Sequence, residues 1–198
     1  MAQFLVTGGS GFIGSHLCRK LLGEGHGVRV LDNLSSGKRE NLSDIADDID
    51  FLEADLLDED ALQRAVKGVE YVLHHAAVAS VQTSVEKPLM EQQINSVGTL
   101  RLLEAARQAG VRRVVFAASA AAYGNDPRVP KREDMRPTPE SPYAISKLVG
   151  EYYCGAYSRL YGLETVCLRY FNVYGPCQDP ASPYSGVISI FAKRMLNG

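Results

Sequence analysis

The spacing of apolar positions changes repeatedly along the chain. A short apolar run at 4–6 leads into a glycine-rich turn at 7–14, and a helical pattern occupies 12–23. A second apolar run, 28–31, ends on Asp32. Residues 50–54 read as a third strand and 58–66 as a helix, with Asp58 as its N-cap and acidic residues in the first turn, where the helix dipole favours them. Residues 69–73 read as a fourth strand. Over 88–109, Ile94, Val97, Leu100, Leu103 and Ala106 recur at helical spacing; Gly110 closes that helix and 111–117 is a fifth strand. Ser141 caps and Pro142 opens a long helix over 142–161. Strand and helix alternate without a repeat, the pattern of an α/β domain whose parallel sheet is covered on both faces.

Composition removes several classes of protein. A chain of 198 residues with 45% hydrophobic and 22% charged content suits a soluble domain with one sizeable core and not a disordered chain. The net charge of −2 offers no basic stripe for nucleic acid and no polybasic segment for a membrane surface. No apolar run nears the roughly 20 residues of a membrane span, and the chain opens in a strand instead of a signal peptide, so a cytoplasmic location is the default expectation. Cys18, Cys154, Cys167 and Cys177 lie far apart with no C-x-x-C pair and read as reduced thiols. His74 and His75 are neighbours on a strand and point to opposite faces, so no metal site is expected.

The turn Thr-Gly-Gly-Ser-Gly-Phe-Ile-Gly at 7–14 carries the first chemical signal. Gly8, Gly11 and Gly14 allow a sharp turn, close approach of a pyrophosphate and tight helix packing. The first helical residues, Phe12 and Ile13, then present unpaired N–H groups to the phosphates. Asp32 ends the next strand, where a carboxylate accepts hydrogen bonds from an adenosine ribose and repels a 2′-phosphate. That favours NAD over NADP, with Lys38 and Arg39 as the opposing feature. Asn33, Ser35, Ser36 and Gly37 form a polar turn suited to the adenosine end, and Asp55 and Leu56 follow the third strand near the adenine. The stretch 74–79 is small enough, at Ala76, Ala77 and Ala79 beside His75, for a flat ring to lie against the backbone. Asn95 is polar inside its helix; it is either solvated, bonded across to neighbouring backbone, or part of the cofactor side. Thr7, Asp32, Asp55, His75 and Ser119 all fall at strand carboxyl ends, where ligands bind in such sheets.

Tyr143 and Lys147 are four residues apart on the last helix and share a face, with Cβ atoms roughly 5–6 Å apart. Bringing a phenol from its ordinary pKa of about 10 to neutrality requires roughly 4 kcal/mol. One ammonium about 6 Å away supplies something under 3 kcal/mol at an effective dielectric of about 20. An oxidised nicotinamide carries a second positive charge, which makes Tyr143 a candidate general base. The competing reading is an ordinary Tyr and Lys on a helix.

Taken with Ser119 before Tyr123 and Gly124, and with Ser-Pro-Tyr-x-x-Ser-Lys at 141–147, the glycine motif resembles the extended short-chain dehydrogenase/reductases. Arg-Tyr-Phe-Asn-Val-Tyr-Gly-Pro at 169–176 narrows the resemblance to the NAD-dependent epimerase/dehydratase family, most similar to the UDP-hexose 4-epimerases. The resemblance spans the whole chain. It implies a Rossmann-like doubly wound parallel sheet over 1–176 and, over 177–198, the beginning of a smaller UDP-sugar-binding domain. It further implies bound NAD, a UDP-hexose substrate and reversible oxidation at C4 through a transient 4-keto sugar.

By position, the resemblance makes Ser119 bond the reacting hydroxyl, Tyr143 take its proton, and Lys147 bind the nicotinamide ribose and lower the Tyr143 pKa. Tyr170 packs by the nicotinamide, Asn172 holds the sugar diphosphate and Val187 lines the substrate side. Related dehydratases carry an acidic residue after the serine, whereas this chain has Ala120, Ala121 and Ala122, which favours epimerisation. Small residues at Ala79, Ala121 and Gly186 suggest acceptance of N-acetylated hexoses. The alternatives are another dehydratase or reductase of this family and a non-catalytic NAD sensor or scaffold. The resemblance also implies a homodimer through helices 88–109 and 142–161, with Tyr153, Tyr157 and Leu160 as surplus apolar surface. Relatives are longer, so the chain is either a piece of a longer protein or a naturally short one; the intact motifs favour the piece. Residues 1–198 alone are then expected to hold NAD and turn over poorly, because the lid that excludes water is incomplete.

Overall fold

A computed structural model describes residues 1–176, 178, 191 and 194–196. In chain order the elements are β1 (Gln3–Thr7), α1 (Phe12–Gly23), β2 (Gly27–Asp32), β3 (Ile49–Glu53), α2 (Glu59–Val66), β4 (Tyr71–His74), α3 (Val81–Glu86), α4 (Pro88–Gln92), α5 (Gly98–Gln108), β5 (Arg113–Ser119), α6 (Pro142–Tyr161) and β6 (Glu164–Tyr170). Short 3-10 segments occupy Arg39–Asp48 and Ala120–Tyr123. The six strands are all parallel, in the order β3-β2-β1-β4-β5-β6. Strand order reverses between β1 and β4, which opens a crevice at their carboxyl ends.

Alternation along the strands builds the two faces of the core. Leu5 and Leu31 join Leu62, Val66, Leu102, Leu103, Phe116 and Cys154 beneath α2, α5 and α6. Val6, Val28 and Val30 face the other way and pack with Cys18 and Leu21 of α1. The helix caps follow the sequence: the Asp58 carboxylate accepts from the Ala61 N–H at 3.0 Å, and the Ser141 hydroxyl accepts from the Ala144 N–H at 3.1 Å.

Two expectations change. The single helix predicted over 88–109 is interrupted, because Gln93–Val97 forms a wide π turn between α4 and α5. Its buried face then runs through Asn95, Ser96, Thr99, Leu102 and Leu103, while Ile94, Val97 and Leu100 stay half-buried. A polar residue has won an inward position there because its amide finds partners inside. The second change concerns the surplus apolar surface on α6. Tyr153 and Tyr157 pack against the core, and the Tyr157 hydroxyl donates to Glu104 at 3.1 Å. Leu160 is exposed as expected, together with Ile145 and Tyr152. Strand β6 and helix α3 have no counterpart among the elements read from the sequence. Val187, Gly186, Cys177 and most of the 177–198 segment lie outside the described residues.

Candidate active site

The glycine turn joins β1 to α1 at the mouth of the crevice. A side chain at Gly14 would stand 2.1 Å from the Gly8 carbonyl oxygen, and one at Gly8, whose φ is +71°, would meet the Ala76 nitrogen at 2.7 Å. The backbone is therefore folded as tightly as glycine permits, against the small residues that follow β4. At Gly11 an added Cβ meets only the Gly8 carbonyl, at 3.3 Å. The outer side of the turn is open at the first N–H groups of α1, and Gly11 supplies no side-chain cap. The Ser10 hydroxyl is buried in the same turn without a hydrogen-bond partner among the described residues.

Asp32 ends β2 and is buried. Its carboxylate accepts from the Ser10 N–H and from the Leu34 N–H, both at 2.9 Å. Those bonds hold the polar turn, in which Leu34 adopts a φ of +56° and the Asn33 side chain accepts from the Ser35 N–H. Asn33 also donates to Asp55 at 2.7 Å, tying the ends of β2 and β3 together. Ser36 and Gly37 complete that turn, with Gly37 against Ser10. Arg39 lies over the Phe51 ring at 4.4 Å and 3.8 Å from Glu53, so its charge is already matched. These residues fit an adenine dinucleotide: a turn that only glycine can make, an open helix start and a buried carboxylate at the next strand end. Phe12, Ile13 and the backbone of 8–11 would hold the pyrophosphate.

The carboxyl ends of β4, β5 and β6 bring the second group together. His74 is fully buried between Thr7 (2.7 Å) and Thr99 (2.9 Å) and is held neutral, since burial keeps its pKa well below the usual value. His75 faces the other side, where its Nε2 meets the Tyr170 hydroxyl at 3.1 Å; burial lowers its pKa to about 4. Among the described residues no group of three or more acidic, His or Cys side chains is placed to hold a metal ion. Ser119 is the last residue of β5, and its hydroxyl accepts from the Ala121 N–H. Its proximity to Tyr143 favours the phenolate. Burial is nevertheless the larger influence and holds the Tyr143 pKa above its ordinary value, with the charge of Glu91 acting in the same direction.

Lys147 is buried, donates to the Ala117 carbonyl at 3.0 Å, and lies 5.9 Å from the centre of the Tyr143 ring. Desolvation lowers its pKa to about 8. The sequence reading asks for two positive charges, Lys147 and an oxidised nicotinamide; in the chain alone, burial holds the Tyr143 pKa raised. The arrangement can still exchange a proton between a hydroxyl held at Ser119 and the Tyr143 oxygen.

The sequence profile of the NAD dependent epimerase/dehydratase family matches residues 4–198. The chain belongs to that family. A UDP-glucose 4-epimerase of Mycolicibacterium smegmatis is 46% identical over 198 residues, which cover 98% of this chain and 63% of the relative. The fold is similar to UDP-N-acetylglucosamine 4-epimerase from Methanobrevibacter ruminantium in complex with UDP-N-acetylmuramic acid, with a TM-score of 0.94 and 43% identity over 100% of this chain and 63% of the other. It is also similar to Thermus thermophilus UDP-glucose 4-epimerase in complex with NAD, with a TM-score of 0.90 and 48% identity over 99% of this chain and 63% of that one. The chain therefore spans 63% of the length of these relatives.

Within this member of the family, the remaining residues named from the sequence divide into three groups. Ala76, Ala77 and Ala79 follow β4, with the Ala76 backbone against Gly8. The side chains of Asn95 and Leu56 are buried, and Asn95 takes the backbone bonding that is one of its readings. The Asn95 amide is buried and committed to the Val78 backbone, accepting from its N–H at 2.8 Å and donating to its carbonyl at 3.0 Å. Leu56 is part of the core. Asn172 lies beyond β6 and is exposed, next to Phe171, whose ring is stacked with Tyr123. Sequence reading missed Glu91, Ser146 and the Arg169–Glu151 pair, a bidentate ion pair at 2.8 Å that ties β6 to α6. Only a buried carboxylate inside an otherwise helical pattern could have flagged Glu91, and periodicity does not show burial of a polar residue.

Proposed function

We propose that this chain carries the catalytic part of an NAD-dependent 4-epimerase acting on UDP-hexoses, N-acetylated ones included. The observation that carries this reading is the placing of Tyr143 and Lys147 on α6 against the end of β5, where Ser119 lies, on the same strand-end edge of the sheet as the glycine turn. Beyond Ser119 the chain runs Ala120, Ala121 and Ala122, where acid-base elimination would need a carboxylate. NAD, when bound, supplies a reversible acceptor for the hydride on C4 of the sugar.

Ser119 orients the C4 hydroxyl, and Tyr143 takes its proton. Lys147 contributes positive charge one helical turn away, at a site where burial has removed competing water. Once the hexose has turned over, Tyr143 would return the proton to the C4 oxygen, and C4 would be inverted because its hydride is restored from the cofactor to the opposite face. The small side chains at Ala79 and Ala121 leave room for that rotation and for a 2-acetamido group. Asn172 would engage the diphosphate, and Tyr170, oriented by His75, would flank the nicotinamide.

Two copies would pair through α4 and α6, where Leu89, Met90, Ile145 and Tyr152 stand exposed. Free Cys18, Cys154 and Cys167, with no helix among the described residues long and apolar enough to cross a membrane, support a cytoplasmic setting.

The test is to supply the protein and NAD with UDP-glucose, UDP-galactose, UDP-GlcNAc and UDP-GalNAc separately and to follow anomeric proton signals by NMR. Interconversion of the C4 isomers at unchanged mass is expected. Loss of water would replace epimerisation with another reaction of the family, and exclusive use of UDP-glucose would remove the N-acetylated substrates.

A further inference from the structure

One fully buried ionisable side chain has no part in the chemistry above. Glu91 on α4 is 0% exposed, and no ion pair among the described residues includes it. Its carboxylate accepts from the Ser146 hydroxyl at 2.5 Å, from the Gln92 amide at 2.9 Å and from the Asn95 amide. Each donor leads to a different part of the active site. Ser146 lies between Tyr143 and Lys147, and its single hydroxyl hydrogen is shared between Glu91 and the Tyr143 carbonyl, whose oxygen is 2.9 Å away. Gln92 donates to the Pro142 carbonyl in the first turn of α6, also at 2.9 Å. Asn95, within the π turn, holds both backbone groups of Val78.

Three donors converging on one group require an acceptor-only side chain, and a carboxylate is the one that fits; a glutamine would turn an NH2 toward one of them. Burying a carboxylate costs several kcal/mol unless hydrogen bonds and opposite charge offset it. Glu91 acts on Tyr143 and Lys147 of α6, and Lys147 in turn acts on His74 and His75 at the end of β4. Both histidines are neutral by burial, and the hydrogen-bond acceptor of Lys147 is the uncharged Ala117 carbonyl.

We propose that Glu91 is a positioning residue for the Tyr143–Lys147 pair: through Ser146, Gln92 and Asn95 it joins the first turns of α6 to the Val78 loop and places a buried carboxylate against the turn that carries the pair. This rests on the reading of Tyr143 as the proton acceptor. The charge acts on both partners in the same sense, favouring protonated Lys147 and protonated Tyr143. Glu91 therefore sets the pH window in which the pair works, as well as its geometry.

The test compares wild type with Glu91→Gln and Glu91→Asp. Tyr143 ionisation is read by ultraviolet difference titration against the same backgrounds carrying Tyr143→Phe, which needs no turnover. In Glu91→Gln, the Tyr143 titration and both limbs of the pH–rate profile are expected to move to lower pH by on the order of one unit. Glu91→Asp, which keeps the charge but withdraws it by one methylene, is expected to restore the position of the profile while kcat stays reduced. An unmoved Tyr143 titration in Glu91→Gln would overturn the inference even if turnover fell. Carbon-13 NMR of labelled glutamate in the wild type is independent of any variant's folding, and a protonated Glu91 at neutral pH would also overturn it. A wild type with no epimerase activity would count against the proposed reaction and leave the titration result to judge Glu91.

Discussion

The Lys147 ammonium lies 5.9 Å from the centre of the Tyr143 ring, one turn along α6, and is anchored to the Ala117 carbonyl at 3.0 Å. Helical spacing sets the first relation and the approach of α6 to β5 sets the second. Replacing Tyr143 by Phe should lower kcat about 10³-fold, with NAD retained, as checked by stopped-assay turnover and cofactor content after gel filtration. Lys147→Met should lose comparable activity yet raise stability by about 3 kcal/mol, because a cation with its pKa lowered to about 8 is destabilising at neutral pH. Urea unfolding at pH 7 checks the second half, and a Met variant less stable than wild type would contradict it.

Acid should weaken the fold through His75 and His74. Their folded pKa values lie below the ordinary 6.5, that of His75 at about 4. Between these values the unfolded chain binds a proton that the native histidine does not, so stability rises with pH across that window and is lost as pH falls from 6.5 towards 4. For His75 the effect amounts to about 3 kcal/mol. Unfolding free energies at pH 4.5, 5.5 and 6.5 should show a shallower slope in His75→Gln than in wild type. The same sign applies to Lys147 above pH 8, where stability lost to its burial is regained, and this contribution is absent from Lys147→Met.

The turn at 7–14 should tolerate no added side chain at its third glycine. Gly14→Ala would push a methyl to 2.1 Å from the Gly8 carbonyl, at a cost of at least about 3 kcal/mol. A lowered thermal midpoint together with lost NAD binding, followed by calorimetry, is the expected result. Asp32→Ala should act differently. It leaves the Ser10 and Leu34 N–H groups without their acceptor and is expected to cost about 2 kcal/mol while weakening NAD more than tenfold.

Leu89 and Tyr152 stand exposed on α4 and α6. If two copies pair through these helices, Leu89→Glu with Tyr152→Glu should convert a dimer to monomer in sedimentation at micromolar concentration, with secondary structure unchanged. A wild type that sediments as a monomer at that concentration removes the proposed pairing.

Most of the fold was legible in sequence because its signals are local. The alternation of Leu5 and Val6 assigns them to opposite faces, Asp58 and Ser141 cap the helices they precede, and Tyr143 and Lys147 meet because they are four apart. The break at Gln93–Val97 was hidden, since a π turn leaves the apolar spacing nearly helical and is chosen by what Asn95 can reach. Asn95 itself belongs to the scaffold under the crevice, and no periodicity distinguishes that from a residue lining it.

By itself the sequence determined the α/β alternation, the glycine turn with Asp32 at the next strand end, and the pairing of phenol and amine on one helical turn, because each depends on residues close together in the chain. The tertiary structure decided what lies beneath them. His75 meets Tyr170 across 95 residues, Glu91 meets Ser146 across 55, and the depth at which Tyr143 and Lys147 sit shifts both pKa values against their charged forms. Burial and long-range contacts arise only when strands and helices pack, so the protonation state of the Tyr143–Lys147 pair is a property of the assembled core.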